Sequence, residues 1–146
     1  MASNLLDRVR VLTALAKALK ADATPPPLPT ETGTIGLLEI DALLKAVWPD
    51  SKDIKLSDEP FTICTIGDIR RFVEWDKTDL LGYTEQTLDC DDFAAALAGD
   101  FSRYKGWSGF PVGEVWGTLY GGHAFTIAVA WPSLEDRTPT LYYIEP

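Results

Sequence analysis

The chain has little histidine and little cysteine, two residue types that often bind metals or carry catalysis. Of its 146 residues only one is histidine and only two are cysteine. No stretch of about 18 apolar residues occurs, so the sequence predicts no membrane-spanning helix. Positive charge is also scarce, because 13 Lys and Arg residues stand against 22 Asp and Glu residues, for a formal charge of −9. Such a surface repels a phosphate backbone, and nucleic acid is not expected as a partner.

The compartment is indicated by the N-terminal segment and by the two cysteines. The first residues carry arginines and end in an A-x-A sequence, but Lys17 and Lys20 interrupt the apolar run. A secretory signal needs about 7–15 unbroken apolar residues. Cys64 and Cys90 can form one disulfide at most. We therefore expect an intracellular, cytoplasmic and mostly reduced protein.

Three segments follow from the composition along the chain. Residues 1–22 repeat apolar residues at helical spacing between basic ones, which predicts an amphipathic helix. Such a helix either packs on the domain or binds a protein partner. Residues 23–34 contain four prolines and predict an extended linker. Residues 35–146 have the size of one compact domain, and 46% of the chain is hydrophobic, enough for a core.

Within the domain, helical patterns come before strand patterns. Residues 35–47 predict an amphipathic helix, residues 61–66 predict a strand, and a second helix opens at Gly67 or Asp68. The last third alternates apolar, aromatic and β-branched residues in EVWGTLYGG, HAFTIAVAW and TLYYIEP, which predicts three antiparallel strands. The order predicts an α+β domain in which N-terminal helices are followed by a small antiparallel sheet.

Cys90 is predicted to lie in the first turn of a helix that has Asp89 as its N-cap. The helix dipole and the unpaired backbone N–H groups of a first turn favour a thiolate. The negative charges of Asp89, Asp91 and Asp92 disfavour a thiolate at Cys90 unless something neutralises them. They either serve as helix caps or hold a cation, and Ca²⁺ and Mn²⁺ are the ions that prefer such oxygen ligands. The predicted buried face of the helix consists of Phe93, Ala94, Leu97 and Phe101.

His123 follows a glycine pair at the start of a predicted strand. Glycines leave room for a substrate chain. A cysteine at a helix start and a histidine on a following strand can activate the thiol by ion pairing, and His123 is the only histidine that could do so. Alternation in YYIEP sets Tyr143 and Glu145 on one strand face, where Glu145 can orient the imidazole if this strand pairs with the His123 strand. Asp136, in the preceding loop, is the alternative orienting residue.

The order of cysteine, histidine and acid resembles that of transglutaminase-like and NlpC-type papain-fold enzymes. More closely, Y-x(6)-C-D-D-F-A, G-H-A and I-E-P resemble the papain-like C-terminal domain of Marasmius agglutinin-type lectins, over about residues 60–146. The resemblance implies a papain-like fold and a triad of Cys90, His123 and Glu145, with Asp91 and Asp92 binding calcium. The sugar-binding trefoil of the agglutinin has no counterpart here, so a lectin role is not implied.

The function predicted on this basis is a thiol hydrolase that acts on an amide bond in a peptide or protein. Cys90 attacks the carbonyl carbon and His123 moves the proton. Gln86 is the candidate side-chain donor to the oxyanion, with Thr87 and Tyr83 as alternatives. Transfer of the acyl group to an amine shares the first step, so an acyltransferase is equally compatible.

A hypothesis of another class is a non-catalytic adaptor or inhibitor. A phage or mobile-element protein of this fold would use the N-terminal helix and the acidic surface to bind a host protein in the bacterial cytoplasm. Cys90→Ala would then leave its activity intact, whereas deletion of residues 1–21 would abolish it. Cys64, between Ile63 and Thr65 in a predicted strand, is expected to be a buried structural thiol.

Overall fold

The computed structural model of the chain describes residues 24–56, 59–80, 89–117 and 122–144. The predicted N-terminal helix therefore lies outside the described residues. Within them, no helix combines the length and the apolar character needed to cross a bilayer. The elements, in chain order, are β1 Gly33–Ile35, α1 Leu37–Val47, β2 Phe61–Ile63, α2 Ile66–Trp75, a 3-10 turn Thr78–Leu80, α3 Cys90–Arg103, β3 Val112–Gly117, β4 His123–Ala130 and β5 Thr140–Ile144.

The strands form two small antiparallel sheets. One pairs β1 with β2, and the other has the order β3-β4-β5. The far end of β4 joins the two sheets, because the backbone N–H of Trp131 donates to the Cys64 carbonyl at 2.8 Å and the N–H of Ile66 donates to the Trp131 carbonyl at 2.8 Å. Mixed helix and sheet confirms the α+β class at this coarse level, with the predicted three-strand antiparallel sheet at the C-terminal end of the chain.

The helices do not all precede the strands, as the predicted order of elements required. β1, which was not predicted, precedes α1, whereas β2 between α1 and α2 is part of the strand predicted over residues 61–66. Strands of three residues are too short to show an alternation of period two, which is why β1 was assigned partly to the linker and partly to the first helix. Ile35 is buried as a strand residue opposite Phe61, and the helix starts only after Gly36, whose N–H donates to the Glu39 carboxylate at 3.1 Å.

β4 is the central strand of its sheet, and it is buried on both faces. One face contributes to a core with Ile40 and Leu44 of α1, and the other to a core with Leu97 and Phe101 of α3. The face toward α3 carries small side chains, which let the helix lie close to the strand. The hydroxyl of Thr126 donates to the carbonyl of Ala94 in α3 at 3.3 Å. Burial on both faces explains why HAFTIAVA is almost continuously apolar.

The described part of the proline-rich segment lies against the domain. The Trp107 indole N–H donates to the Pro26 carbonyl at 3.1 Å. Leu28 lies over Gly106, where a Cβ atom would come within 2.6 Å of the Leu28 Cδ1 and where φ is +93°, a value that favours glycine. Residues 33 and 34, which the sequence pattern assigned to the linker, belong to β1.

Candidate active site

The predicted helix start at Cys90 is confirmed, with Asp89 in the N-cap position and an extended backbone there. The Asp89 N–H donates to a carboxylate oxygen of Asp92 at 3.2 Å, and the Phe93 N–H donates to the Asp89 carbonyl at 3.1 Å. These bonds fix the first turn, as expected for an acidic N-cap region. Cys90 is a free, half-buried thiol at the end of the helix that carries the positive part of the dipole.

The acidic residues around Cys90 divide into two roles. Atoms of the Asp89 carboxylate, the Cys90 sulfur and the Asp91 carboxylate all lie within 4.8 Å of one another. A hydrogen bond with the Asp89 carboxyl raises the pKa of Asp91 above its ordinary value, and the nearby negative charges of Asp89 and Asp92 add to this effect. Asp92 instead caps the helix. Asp89 and Asp91 are thus one oxygen pair that could hold a hard cation, and the pair of Asp91 with Asp92 stays a prediction.

His123 is the first residue of β4 and pairs with Gly117 of β3. Its ring centroid lies 6.0 Å from that of Phe125, two residues along the same strand face. Gly122, just before it, has φ +97° with open space around its Cβ direction, so only the backbone conformation requires glycine there. Gly122 thus directly precedes the histidine.

One hydrogen bond joins the first halves of α3 and β4, because the Thr126 hydroxyl donates to the Ala94 carbonyl. Cys90 and His123 begin the two elements, four and three residues before this contact. Strand alternation places the imidazole on the Phe125 face, opposite the face that α3 covers. The thiol and the imidazole can therefore meet only around the start of β4.

The three candidate donors to the oxyanion lie outside the described residues, and so does the third residue of the predicted triad. The candidate donors are Gln86, Thr87 and Tyr83, and the triad residue is Glu145. The alternation predicted for the last strand holds in the described part, because the Tyr143 ring lies 5.5 Å from Phe125, on the face of His123.

Asp136 is not brought together with His123. It lies in the loop after β4, at the opposite end of that strand, and seven residue steps separate the strand ends by about 23 Å. Its carboxylate accepts a hydrogen bond from the Thr138 N–H at 3.0 Å, and hydrogen bonds from Thr138 hold the pKa of Asp136 below its ordinary value. The Asp136 carboxylate therefore forms hydrogen bonds within its own loop.

Cys64 differs from Cys90 in every respect that matters for reactivity. It is 1% exposed, within the core shared by α2 and α3. Burial raises the pKa of its thiol to about 12, and the Asp68 carboxylate adds to the rise. Cys64 is therefore not expected to react as a thiolate at neutral pH.

A cleft of about 920 Å³ lies beside β3, and sequence reasoning missed it. One wall is the chain from Val47 to Leu56, which has neither a helical nor a strand pattern after α1 ends. The floor is the His123 face of β4, where Phe125, Ile127 and Val129 line the cleft. The signal available in the sequence was Gly113, because a glycine inside a strand often marks a close approach of another chain.

Comparison of the chain with protein-family models, with curated proteins and with solved structures found no match.

Proposed function

We propose that this protein is a papain-like thiol hydrolase that cleaves an amide bond in a peptide or protein. The observation that carries the proposal is the placement of Cys90 as the first residue of α3 and of His123 as the first residue of β4, two elements whose first halves a hydrogen bond joins. A half-buried thiol on a helix N-terminus is in the environment that favours a nucleophilic thiolate. The contrast with Cys64, buried and with a raised pKa, supports the choice of nucleophile.

The reaction proceeds through a thioester. His123 accepts the thiol proton, and the Cys90 sulfur bonds to the substrate carbonyl carbon to form a tetrahedral adduct. When the adduct collapses, the C–N bond breaks and His123 returns the proton to the leaving amine. Water then attacks the thioester, with His123 accepting one of its protons, and the acid product leaves as the thiol forms again. If an amine takes the place of water, the same intermediate gives acyl transfer.

The oxyanion of the tetrahedral adduct needs donors close to the sulfur. Backbone N–H groups in the first turn of a helix have no partner within the helix, so the start of α3 can supply such donors. Gln86 as a side-chain donor and Glu145 as the residue that orients His123 come from the resemblance to the agglutinin-type papain-like domains. Both are included in the proposal as roles to be tested by substitution.

The carboxylates beside the thiol are the reason that the proposal includes a bound cation. Ionised Asp89 and Asp91 place negative charge next to the developing thiolate and disfavour it. A Ca²⁺ ion held by these two carboxylates would neutralise their negative charge beside the thiolate. Mn²⁺ is the second candidate ion. The Cys90 sulfur is a soft ligand that does not suit calcium, so it would stay available for attack.

Calcium is therefore expected to raise the Tm of the protein. The raised pKa of Asp91 means that the folded state holds this proton more tightly, so the free energy of unfolding falls as pH rises through and above the ordinary value of 3.8. Calcium relieves the repulsion that remains at pH 7, and a concentration about a hundredfold above Kd should raise Tm by about 5–10 °C. At pH 4, protons compete for Asp91 and the rise should be smaller. Differential scanning calorimetry measures both.

The matched variants are Asp91→Asn and Glu135→Gln. Asp91→Asn removes a ligand and the repulsion together, so we expect a higher Tm without calcium and no response to it. Glu135 is an exposed carboxylate in the loop after β4, and its replacement should leave the calcium response unchanged. The calcium site is contradicted if calcium does not change the Tm of the protein, or if it raises the Tm of Asp91→Asn by the same amount.

The experiment that tests the proposed nucleophile is alkylation of the native protein by iodoacetamide between pH 6 and 9, read by peptide mass. At pH 7.5 we expect Cys90 to react at least about a hundredfold faster than Cys64, whose buried thiol holds its proton. We also expect the Cys90 rate to fall in His123→Ala, because His123 is the proposed base for this thiol.

Two controls make this result specific. Cys64→Ser should leave the Cys90 rate unchanged, and in urea the two cysteines should react alike. If the Cys90 rate follows that of an ordinary thiol across the pH range and His123→Ala has no effect on it, the proposed activation is wrong.

A further inference from the structure

β3 is an end strand of its sheet, and the register shows which of its backbone groups face outward. The Val129 N–H donates to the Pro111 carbonyl at 3.0 Å, so alternate residues of β4 starting from Val129 direct their backbone groups toward β3. Their partners Gly113, Val115 and Gly117 bond inward to β4. The intervening residues of β3, among them Glu114 and Trp116, therefore direct N–H and C=O groups away from the sheet. Within the described residues, no strand pairs with this edge.

The cleft of about 920 Å³ borders this edge along the whole of β3. Its volume lies within the range of sites that bind ligands in proteins. The floor is apolar, and the opposite wall carries charges of both signs, with Asp50 and Asp53 beside Lys52 and Lys55. Such a wall favours no strongly charged ligand. An exposed strand edge over an apolar floor is the arrangement that binds an extended peptide by adding a strand.

Gly113 opens a pocket in this cleft. It lies on the same face of β3 as Val115, which packs against the core that includes Phe125 and Ile127. A Cβ atom built on Gly113 would meet nothing within 4 Å. The missing side chain therefore leaves space above the apolar floor, in position to receive a side chain from a bound strand.

We propose that the outer edge of β3 binds the substrate as an extended peptide with largely uncharged side chains, one of which is apolar and enters the cleft at Gly113. Four residue steps, about 13 Å, separate Gly113 from Gly117, the partner of His123. The bond to be cleaved thus lies about four residues from the apolar anchor. The exposed ring of Trp116, 66% accessible at the same edge, provides a further apolar surface for the peptide. The position of the cleaved bond rests on the proposed function, whereas the binding does not.

The test uses the full chain carrying Cys90→Ala, so that binding is measured without turnover. A display library of random peptides of about ten residues is selected on this protein, and the enriched peptides are synthesised with a fluorophore for anisotropy titrations. Selected peptides should carry an apolar residue flanked by β-branched or other uncharged residues. Glu114→Pro removes one outward N–H and should weaken their binding at least about tenfold, while Glu114→Ala keeps that N–H and should change it less than about threefold.

Gly113→Leu fills the pocket and should weaken binding to a similar extent. If Glu114→Pro does not fold, as judged by circular dichroism, N-methylation of the peptide at successive positions tests the same hydrogen bonds on the unaltered strand. Alternate positions should be sensitive. Selection without enrichment, or peptides that bind Glu114→Pro and Gly113→Leu as tightly as Glu114→Ala, overturns the inference. If peptides are cleaved through Cys90 but do not bind the β3 edge, the proposed function holds and the edge-binding inference is wrong. If peptides bind the edge but none is cleaved, the inference holds and the proposed function is wrong.

Discussion

Cys90→Ser and His123→Ala are each expected to lower kcat/KM for peptide hydrolysis by at least about a thousandfold, because the nucleophile and its base act as one unit. The substrate is found by incubating the protein with a proteome-derived peptide library and identifying new termini by mass spectrometry. Rates are then measured on one cleaved peptide. The double variant should be hardly worse than either single variant, since removal of one member of such a pair already removes the contribution of the other.

The control for this loss is Cys64→Ser, which changes the other thiol. Cys64 is buried beside Asp68 and takes no part in the proposed reaction, so this variant should retain activity if it folds. An activity that survives Cys90→Ser contradicts the proposed mechanism. If no peptide is cleaved and the cellular effect is instead lost on deletion of residues 1–21, the adaptor hypothesis becomes the better account.

The geometry of the pair makes His123→Ala the more informative of the two single variants. The strand face of His123 is the face of Phe125 and not the one that α3 covers. A base that works on Cys90 must therefore reach around the start of β4. Gly122, directly before His123, has a positive φ and nothing within 4 Å of its Cβ position. A histidine held there for packing alone would leave the reaction rate unchanged when replaced by alanine.

The sequence predicted the elements whose pattern is long enough to be read. Cys90 at a helix start follows from an acidic N-cap before an apolar face of period 3.6, and α3 has this face. β4 is predicted by a short apolar run with β-branched and aromatic residues between turn residues, which is typical of a strand buried on both faces. β1 was missed because three residues of strand give no periodicity, and its identity comes from pairing with β2, which is distant in sequence.

The candidate site was predictable in its residue types but not in its arrangement. Sequence could name Asp91 and Asp92 as neighbours of the thiol. Which carboxylates come together depends on backbone geometry at the N-cap, where Asp92 bonds to the Asp89 N–H and leaves Asp89 beside Asp91. Asp136 was the alternative orienting residue for His123 in the sequence, and the direction of β4 separates the two residues. The cleft beside β3 depends on long-range packing, which no local pattern encodes.

Trp107→Ala is expected to lower the free energy of unfolding by about 4 kcal/mol, within the range for loss of a large buried ring. Trp107 is 1% exposed, and its ring centroid lies 4.9 Å from Phe72 and 5.3 Å from Phe110. Its indole N–H also bonds to the Pro26 carbonyl, so the ring fixes the proline-rich segment to the domain. Urea unfolding followed by circular dichroism measures the change.

Trp116→Ala is the matched control, because the same residue type is removed where 66% of it is exposed, and its cost should stay within about 0.5 kcal/mol. Trp107→Phe separates the two contributions of the buried residue, since it keeps a ring in the core and removes the donor to Pro26. The lost hydrogen bond should account for about 1 kcal/mol of its cost, with the smaller ring adding a cavity contribution. Equal costs for Trp107→Ala and Trp116→Ala would contradict the placement of Trp107 in the core beneath α3, on which the position of Cys90 depends.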